Sequence, residues 1–343
     1  MLRRKIFYVV FLFFMCTVML NITGCTQVGH VKSLEDYRIV RKGFESTEEI
    51  DESNKKEEVS EDDNKENNPT ESPEKNTNDN KVENNEETKE ETKEETEEIE
   101  TINFENVKVD QELSYGYYYD QLSDELKKIY ILLMSKMYII SKEYIKITNI
   151  DFDMDSFERV INAVNLDNFH YNISSYQYYE EDYTIFLSLE LQNAIKSNQK
   201  EEAEKKAYDI VKRISSNSEI ELVQKIYDWC TKNIVYDKSL KKKHNRDLYG
   251  ALIKKESVCV GYARAFSYMC GLAGIKCINV MNEKHMYNYV QIDSKWYGVD
   301  TTGGEPGSHV FLLQGKEFLK MEQHIPSEGF DLPELSEESI FED

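Results

Sequence analysis

The chain has 343 residues, with 42 lysines and arginines against 65 aspartates and glutamates, for a net charge of −23. That balance excludes a broadly basic surface and argues against nucleic acid as a partner. The length allows one or two domains with a sizeable core.

Arg3, Arg4 and Lys5 precede a mostly apolar stretch from Ile6 to Leu20. At about 15 residues it is too short to span a bilayer as a helix. Ile22-Thr23-Gly24-Cys25 follows and resembles a bacterial lipobox. The resemblance implies that residues 1–24 are a cleaved lipoprotein signal outside any fold. It also implies that Cys25 becomes a lipidated N-terminus, anchored stably to the outside of the bacterial membrane because two acyl chains act together. The plainer alternative is an ordinary secretory signal with a chance cysteine. Residues 25–100 are then an expected acidic linker. Between 46 and 100 there are 23 acidic and 7 basic side chains, a net −16, and almost nothing apolar. Such a segment buries too little to offset its ordering entropy, and like charges extend it. It reads as a tether, with an acidic tail that binds cations or protein as the alternative.

Globular composition begins at residue 101, and 101–215 is expected to form an N-terminal α/β region. Ser123 caps a predicted helix with Leu122, Leu126, Ile129, Tyr130, Leu133, Met137 and Ile140 on one face. Tyr144 to Ile150 alternates as a strand, and Phe157, Val160, Ile161 and Val164 mark a short helix. Ser175 to Leu189 reads as two strands around Glu180-Glu181-Asp182, and Ala203 to Ile214 as an amphipathic helix. Tyrosines 115, 117, 118, 119, 176, 178 and 179 crowd this half. Half-buried packing is the plain reading of them and a recognition surface the other.

Ser218-Glu219-Ile220-Glu221 reads as a capping box, opening a helix that turns Leu222, Val223, Ile226, Trp229, Cys230 and Ile234 inward. Tyr236-Asp237 and Lys241-Lys242-Lys243 form a loop, either a solvated turn or a patch for an acidic wall polymer. Asp247 caps a short helix through Leu248, Ala251 and Leu252. Cys259 then heads a helix with Ala263, Phe266, Met269 and Cys270 on one face and Gly271 and Gly274 as stop signals. A thiol there meets the positive end of the helix dipole and unpaired amides, which favour thiolate and can receive an oxyanion. Such a nucleophile needs a base, and the base an orienter. His285 to Ile292 and Lys295 to Asp300 read as a hairpin turning at Asp293-Ser294. Pairing Ile292 with Lys295 puts Asp300 opposite Tyr287 and one diagonal step from His285, on one face. A one-residue slip would send Asp300 to the other face.

Three blocks, Cys259-Val260-Gly261-Tyr262-Ala263, His285 with Asn288, and Trp296-Tyr297-Gly298-Val299-Asp300-Thr301-Thr302, resemble the core of the transglutaminase-like superfamily, over about Glu219 to Leu313. The resemblance implies an α+β, papain-like core at 216–330, with a cysteine-bearing helix N-terminus packed on an antiparallel sheet that carries the histidine and aspartate. It implies Cys259 as nucleophile, His285 as base and Asp300 as orienter. Tyr236, Tyr262, Tyr287 and Trp296 are the expected oxyanion-site and substrate-pocket residues. Tyr287 stands where the family often has tryptophan, and Ser257 where it often has glycine.

The expected function is a cell-surface cysteine enzyme that transfers acyl groups from peptide or protein amides, working as a hydrolase. A protein-crosslinking transglutaminase and a non-catalytic surface binding module are the alternatives. Peptide, protein or cell-wall peptide is the expected substrate, with the membrane as a partner through Cys25. No cofactor is expected, and no metal, since no Cys/His set has zinc spacing. His30, His170, His244, His309 and His324 lack a partner at useful spacing and read as surface or core residues. Cys230 and Cys270 read as small buried hydrophobes, and a Cys270–Cys277 disulfide stays open. His309 to Leu313 reads as a last strand, and residues 331–343 as a frayed acidic tail.

Overall fold

A computed structural model describes residues 7–9 and 99–341, except 152, 182, 193–194, 215, 305–306 and 308–310. Cys25, His30, His309, the acidic stretch up to residue 98 and the rest of the expected leader lie outside the described residues.

The N-terminal half is a sheet with two helices. Strands β1 (Phe7–Val9), β2 (Thr101–Asn103), β3 (Ile145–Thr148), β4 (Ile173–Glu181) and β5 (Thr184–Leu191) lie in the order β1-β4-β5-β3-β2. Only β2 and β3 run parallel. Phe7–Val9, expected to stand outside any fold, pairs along the open edge of β4; a short extended segment satisfies an edge of this kind well. β4 runs on to Glu181, which pairs with Thr184 although Glu181 was expected in the turn, and Tyr183 takes φ +56°. Helices α1 (Asp124–Ile140) and α2 (Met154–Asp167) cover the sheet. Asp153 caps α2 by accepting from the Ser156 amide at 2.9 Å. Leu133, Ile140, Ile145, Phe157, Val160, Val164 and Leu187 are buried between helices and sheet. Tyr115, Tyr118, Tyr119 and Tyr176 are buried as well.

The second half is built around one helix. Helices α3 (Ser197–Arg213), α4 (Glu219–Asn233) and α5 (Cys259–Leu272) pack together, and strands β8 (Cys277–Met281), β9 (Met286–Ile292) and β10 (Lys295–Val299) form an antiparallel sheet in the order β10-β9-β8. The sequence gives α5 one apolar face, yet every residue from Cys259 to Cys270 is buried. The reason is that α3 and α4 pack against it, β8 and β9 close it from the sheet side, and the N-terminal core reaches its first turn at Cys259, Val260 and Ala263. A helix enclosed in this way is apolar all round. Its one charged residue, Arg264, is fully buried and donates to the carbonyls of Arg246 and Asn165, each at 2.7 Å. It thereby ties α2 to α5.

Several local expectations change. Ser218 does cap α4, accepting from the Glu221 amide at 3.4 Å. The return half of the box is replaced: the Ser218 amide donates to Ser216 Oγ, and Glu221 takes the Ser216 hydroxyl and Lys225 instead. Asp247 caps as expected, accepting from Gly250 at 2.8 Å, but the short helix ends in a π turn, Gly250–Lys254. Residues 311–313 are no strand, because Leu313 turns to φ +54°; one bridge, Gly298 to Gln314, remains. The C-terminal segment is docked rather than frayed. Leu335 is buried and bridges Trp296, and Ser336 and Ile340 donate to the carbonyls of Trp296 and Leu313. Its apolar residues win over its charge because Trp296, Phe318 and Tyr289 offer them a seat.

Candidate active site

Strands β6 (Val235–Tyr236) and β7 (Glu256–Ser257) set the approach to Cys259. The Asp237 amide donates to Ser257 O at 2.9 Å, and Asn245 O accepts from both the Val258 amide (2.8 Å) and Ser257 Oγ (2.7 Å). The loop 237–245 is thus stitched to the two residues before the cysteine. Asp237 organises that loop. It accepts from the amides of Ser239 and Lys242, the Ser239 hydroxyl and the Asn245 amide, and these bonds hold its carboxyl well below the usual range against the effect of burial.

The two-residue turn Asp293-Ser294 has both residues at positive φ, and Ile292 pairs with Lys295. Continued past Val299–Asn288, that register brings His285 Nε2 to 2.8 Å from Asp300 Oδ2. His285 and the Met286 amide are the hydrogen-bonding groups that act on the Cys259 thiol. Since Nε2 is engaged with Asp300, Nδ1 is the nitrogen left for sulfur. Burial pushes the thiol up. The His285 bond and charge, the Met286 amide and Arg246 outweigh it and hold Cys259 below its ordinary value. Burial pulls His285 down, but its bonds to Asp300 and Cys259 raise it to about 10. Asp300 is pushed up by burial and held well below the carboxylate range by His285 and His324. The amides of Thr302 (2.8 Å) and Gly303 (3.4 Å) donate to Asp300 Oδ1. The arrangement is suited to a thiolate–imidazolium pair beside the head of a helix.

Of the expected pocket residues, Tyr236 is at the site: it is 37% exposed, and Cys259 is among the charges that act on its phenol. Tyr262 is buried and donates to Ile234 O at 2.5 Å. Tyr287 is buried behind His285, with ring centroids 6.0 Å apart, and donates to His324 O. Trp296 lies four residues down the strand from Asp300, about 13 Å by strand rise, in the cluster beneath the C-terminal segment. Tyr262, Tyr287 and Trp296 are therefore supports rather than pocket walls.

The expectation that the remaining histidines lack partners fails for His170, His244 and His324. His170 meets Glu204 at 3.0 Å, and His244 meets Asp247 at 2.7 Å, both pairs buried. His324, fully buried, reaches Asp300 Oδ2 at 3.0 Å. Sequence spacing held no signal for it, nor for Arg246. His285, Asp300 and His324 bring ligand atoms within 4.8 Å of one another. Hydrogen bonds already join those atoms, and we assign no metal to them. Cys230, Cys259, Cys270 and Cys277 are free thiols.

Residues 204–301 match the family model described as the transglutaminase-like superfamily. This segment is a transglutaminase-like domain. It begins within α3 and ends just past Asp300, so His324 and the C-terminal segment lie beyond it. Kyphoscoliosis peptidase of Mus musculus and of Homo sapiens are each 27% identical to this chain over 108 residues, which is 26% of this chain and 16% of theirs. The chain thus spans about a sixth of the length of these relatives. A crystal structure of a TGase aligns at 15% identity and a TM-score of 0.28, covering 49% of this chain and 53% of that one. No helix among the described residues is long and apolar enough to cross a membrane.

Proposed function

We propose that the transglutaminase-like domain is a cysteine acyl-transfer enzyme that hydrolyses peptide or protein amides. The observation that carries this reading is the His285–Asp300 pair at 2.8 Å, with His285 also acting on the Cys259 thiol at the head of α5. The Cys259 thiolate attacks the amide carbonyl carbon, and the carbonyl π pair moves to oxygen. The Cys259 amide at the head of α5 and the Tyr236 hydroxyl stabilise that oxyanion. The His285 imidazolium gives its proton to the leaving amine as the C–N bond breaks, leaving an acyl thioester. His285 then takes a proton from water, hydroxide attacks the thioester, and the carboxylic acid leaves as the thiolate returns. Asp300 keeps the imidazole in one tautomer throughout.

The test is turnover of a glutamine-containing peptide library by the full chain, by Cys259→Ala and by His285→Ala. Loss of all turnover in both variants, each still cooperatively folded, is expected; full activity in either refutes the assignment. Products formed with an added primary amine distinguish the alternatives. An acid product supports hydrolysis, and a new amide supports cross-linking.

Location belongs to the same proposal. The lipobox-like Ile22-Thr23-Gly24-Cys25 and the acidic stretch after it support a lipid-anchored, extracytoplasmic enzyme reaching outward on a tether. Labelled acyl chains should appear on the expressed protein and be absent from Cys25→Ser.

A further inference from the structure

Asp300 Oδ2 carries two histidines. His285 Nε2 approaches at 2.8 Å and His324 Nε2 at 3.0 Å. The second histidine comes from outside the family match, on a short 3-10 turn, Glu322–His324. Its placement is over-determined. The ring stacks on Phe318 with centroids 3.8 Å apart and planes 5° off parallel. Its carbonyl accepts from the Tyr287 hydroxyl, and its amide donates to Met321 O at 2.8 Å. Asn282 Nδ2 holds the neighbouring carbonyls of Gln323 and Ile325, at 2.8 and 3.2 Å.

The ring's other nitrogen, Nδ1, lies 3.2 Å from Phe318 O. A carbonyl and a carboxylate both accept, so a ring that serves both donates from both nitrogens and is an imidazolium. Gln323 Nε2 makes only a longer contact to Nε2, 3.4 Å.

We infer that His324 is a positioning residue, whose imidazolium grips the Asp300 carboxylate beside His285, fixes its orientation and takes up part of its charge. This rests on the reading of Cys259 and His285 as the reactive pair. The charged and titratable groups that face the pair are Asp300, His324, Tyr236, Tyr287 and Arg246.

The sign follows from electrostatics: removing a cation makes every nearby acid weaker. Both limits of the thiolate–imidazolium window should therefore move to higher pH. A merely structural histidine would lower the amplitude and leave the limits in place. The measurement is the rate of Cys259 alkylation by iodoacetamide across pH, followed on the Cys259 peptide by mass spectrometry, with the full chain. It needs no substrate, so it reports on His324 even if the peptide-hydrolysis reading fails. The variants are His324→Ala and His324→Gln. Upward shifts of both limits by about half to one pH unit are expected in each. His324→Gln keeps an N–H for Asp300 and should retain peptide-hydrolysis kcat within about threefold of wild type. His324→Ala should lose about tenfold or more in kcat with little change in KM. If His324→Ala melts out, His324→Gln alone decides. A pH profile superimposable on wild type in a folded variant overturns the inference.

Discussion

The hydroxyl of Ser257 fills the space beside Gly261: a Cβ placed on Gly261 would lie 1.8 Å from Ser257 Oγ and 3.3 Å from Asn245 O. The glycine two places after the nucleophile is thus demanded by the serine two places before it, and that serine is in turn bonded to Asn245 O. Gly261→Ala should destabilise the domain by about 1–3 kcal/mol and slow Cys259 alkylation by displacing the head of α5. Ser257→Gly/Gly261→Ala opens the space, and denaturant unfolding should show part of the loss recovered. Additive losses in the double variant would refute the coupling.

The pair chemistry predicts a pH window. Cys259 is held below its ordinary value, so its alkylation should persist near pH 7, where a free thiol is largely protonated. His285→Ala removes the bond and charge but not the burial, so the onset should move above the ordinary thiol range. His285 itself is raised to about 10, above the roughly 6.5 of an unfolded histidine. Its contribution to stability is complete below about pH 6.5 and is lost as pH rises through 10. Melting measured from pH 6 to 11 should show that decline in wild type and a flatter curve in His285→Ala.

Arg264 predicts a stability effect without a catalytic contact. Its guanidinium serves two buried carbonyls and is lowered to about 9, chiefly by burial. Arg264→Leu leaves the Arg246 and Asn165 carbonyls without that donor and should cost about 3 kcal/mol or more. Arg264→Lys keeps the charge but lacks the fork, and should fall between. Urea midpoints check both; a midpoint for Arg264→Leu equal to wild type would contradict this account.

The C-terminal segment predicts a third effect on the fold. Leu335 is 4% exposed in the cluster with Phe318 and Tyr287. Leu335→Ala should cost about 2–4 kcal/mol, and removing residues 331–343 should cost more while exposing Trp296. Trp296 emission on deletion should shift to the red, and an unchanged spectrum would argue against the docking.

Much of the site could be read from the chain because its rules are local. The apolar period marked α1, α2, α3 and α4. In the hairpin, a two-residue turn fixes which residues face each other, so His285 and Asp300 had to share a face. Tyr287 and Tyr262 stand behind the site for a reason the sequence does not carry: a tyrosine beside a reactive residue looks the same in sequence whether its hydroxyl faces a cleft or donates to a backbone carbonyl.

The sequence by itself determined a cysteine at a helix head and a histidine–aspartate pair across one hairpin, since periodicity and turn length act over a few residues. Only the tertiary structure decided that His324 joins Asp300 from 24 residues away, that Arg246 adds its charge to the thiol's surroundings, and that Leu335 seals the sheet. Those residues sit in irregular segments with no repeat to read. Their places are set by which buried surfaces accept them: Phe318 and Tyr287 for His324, and the seat beside Trp296 for Leu335.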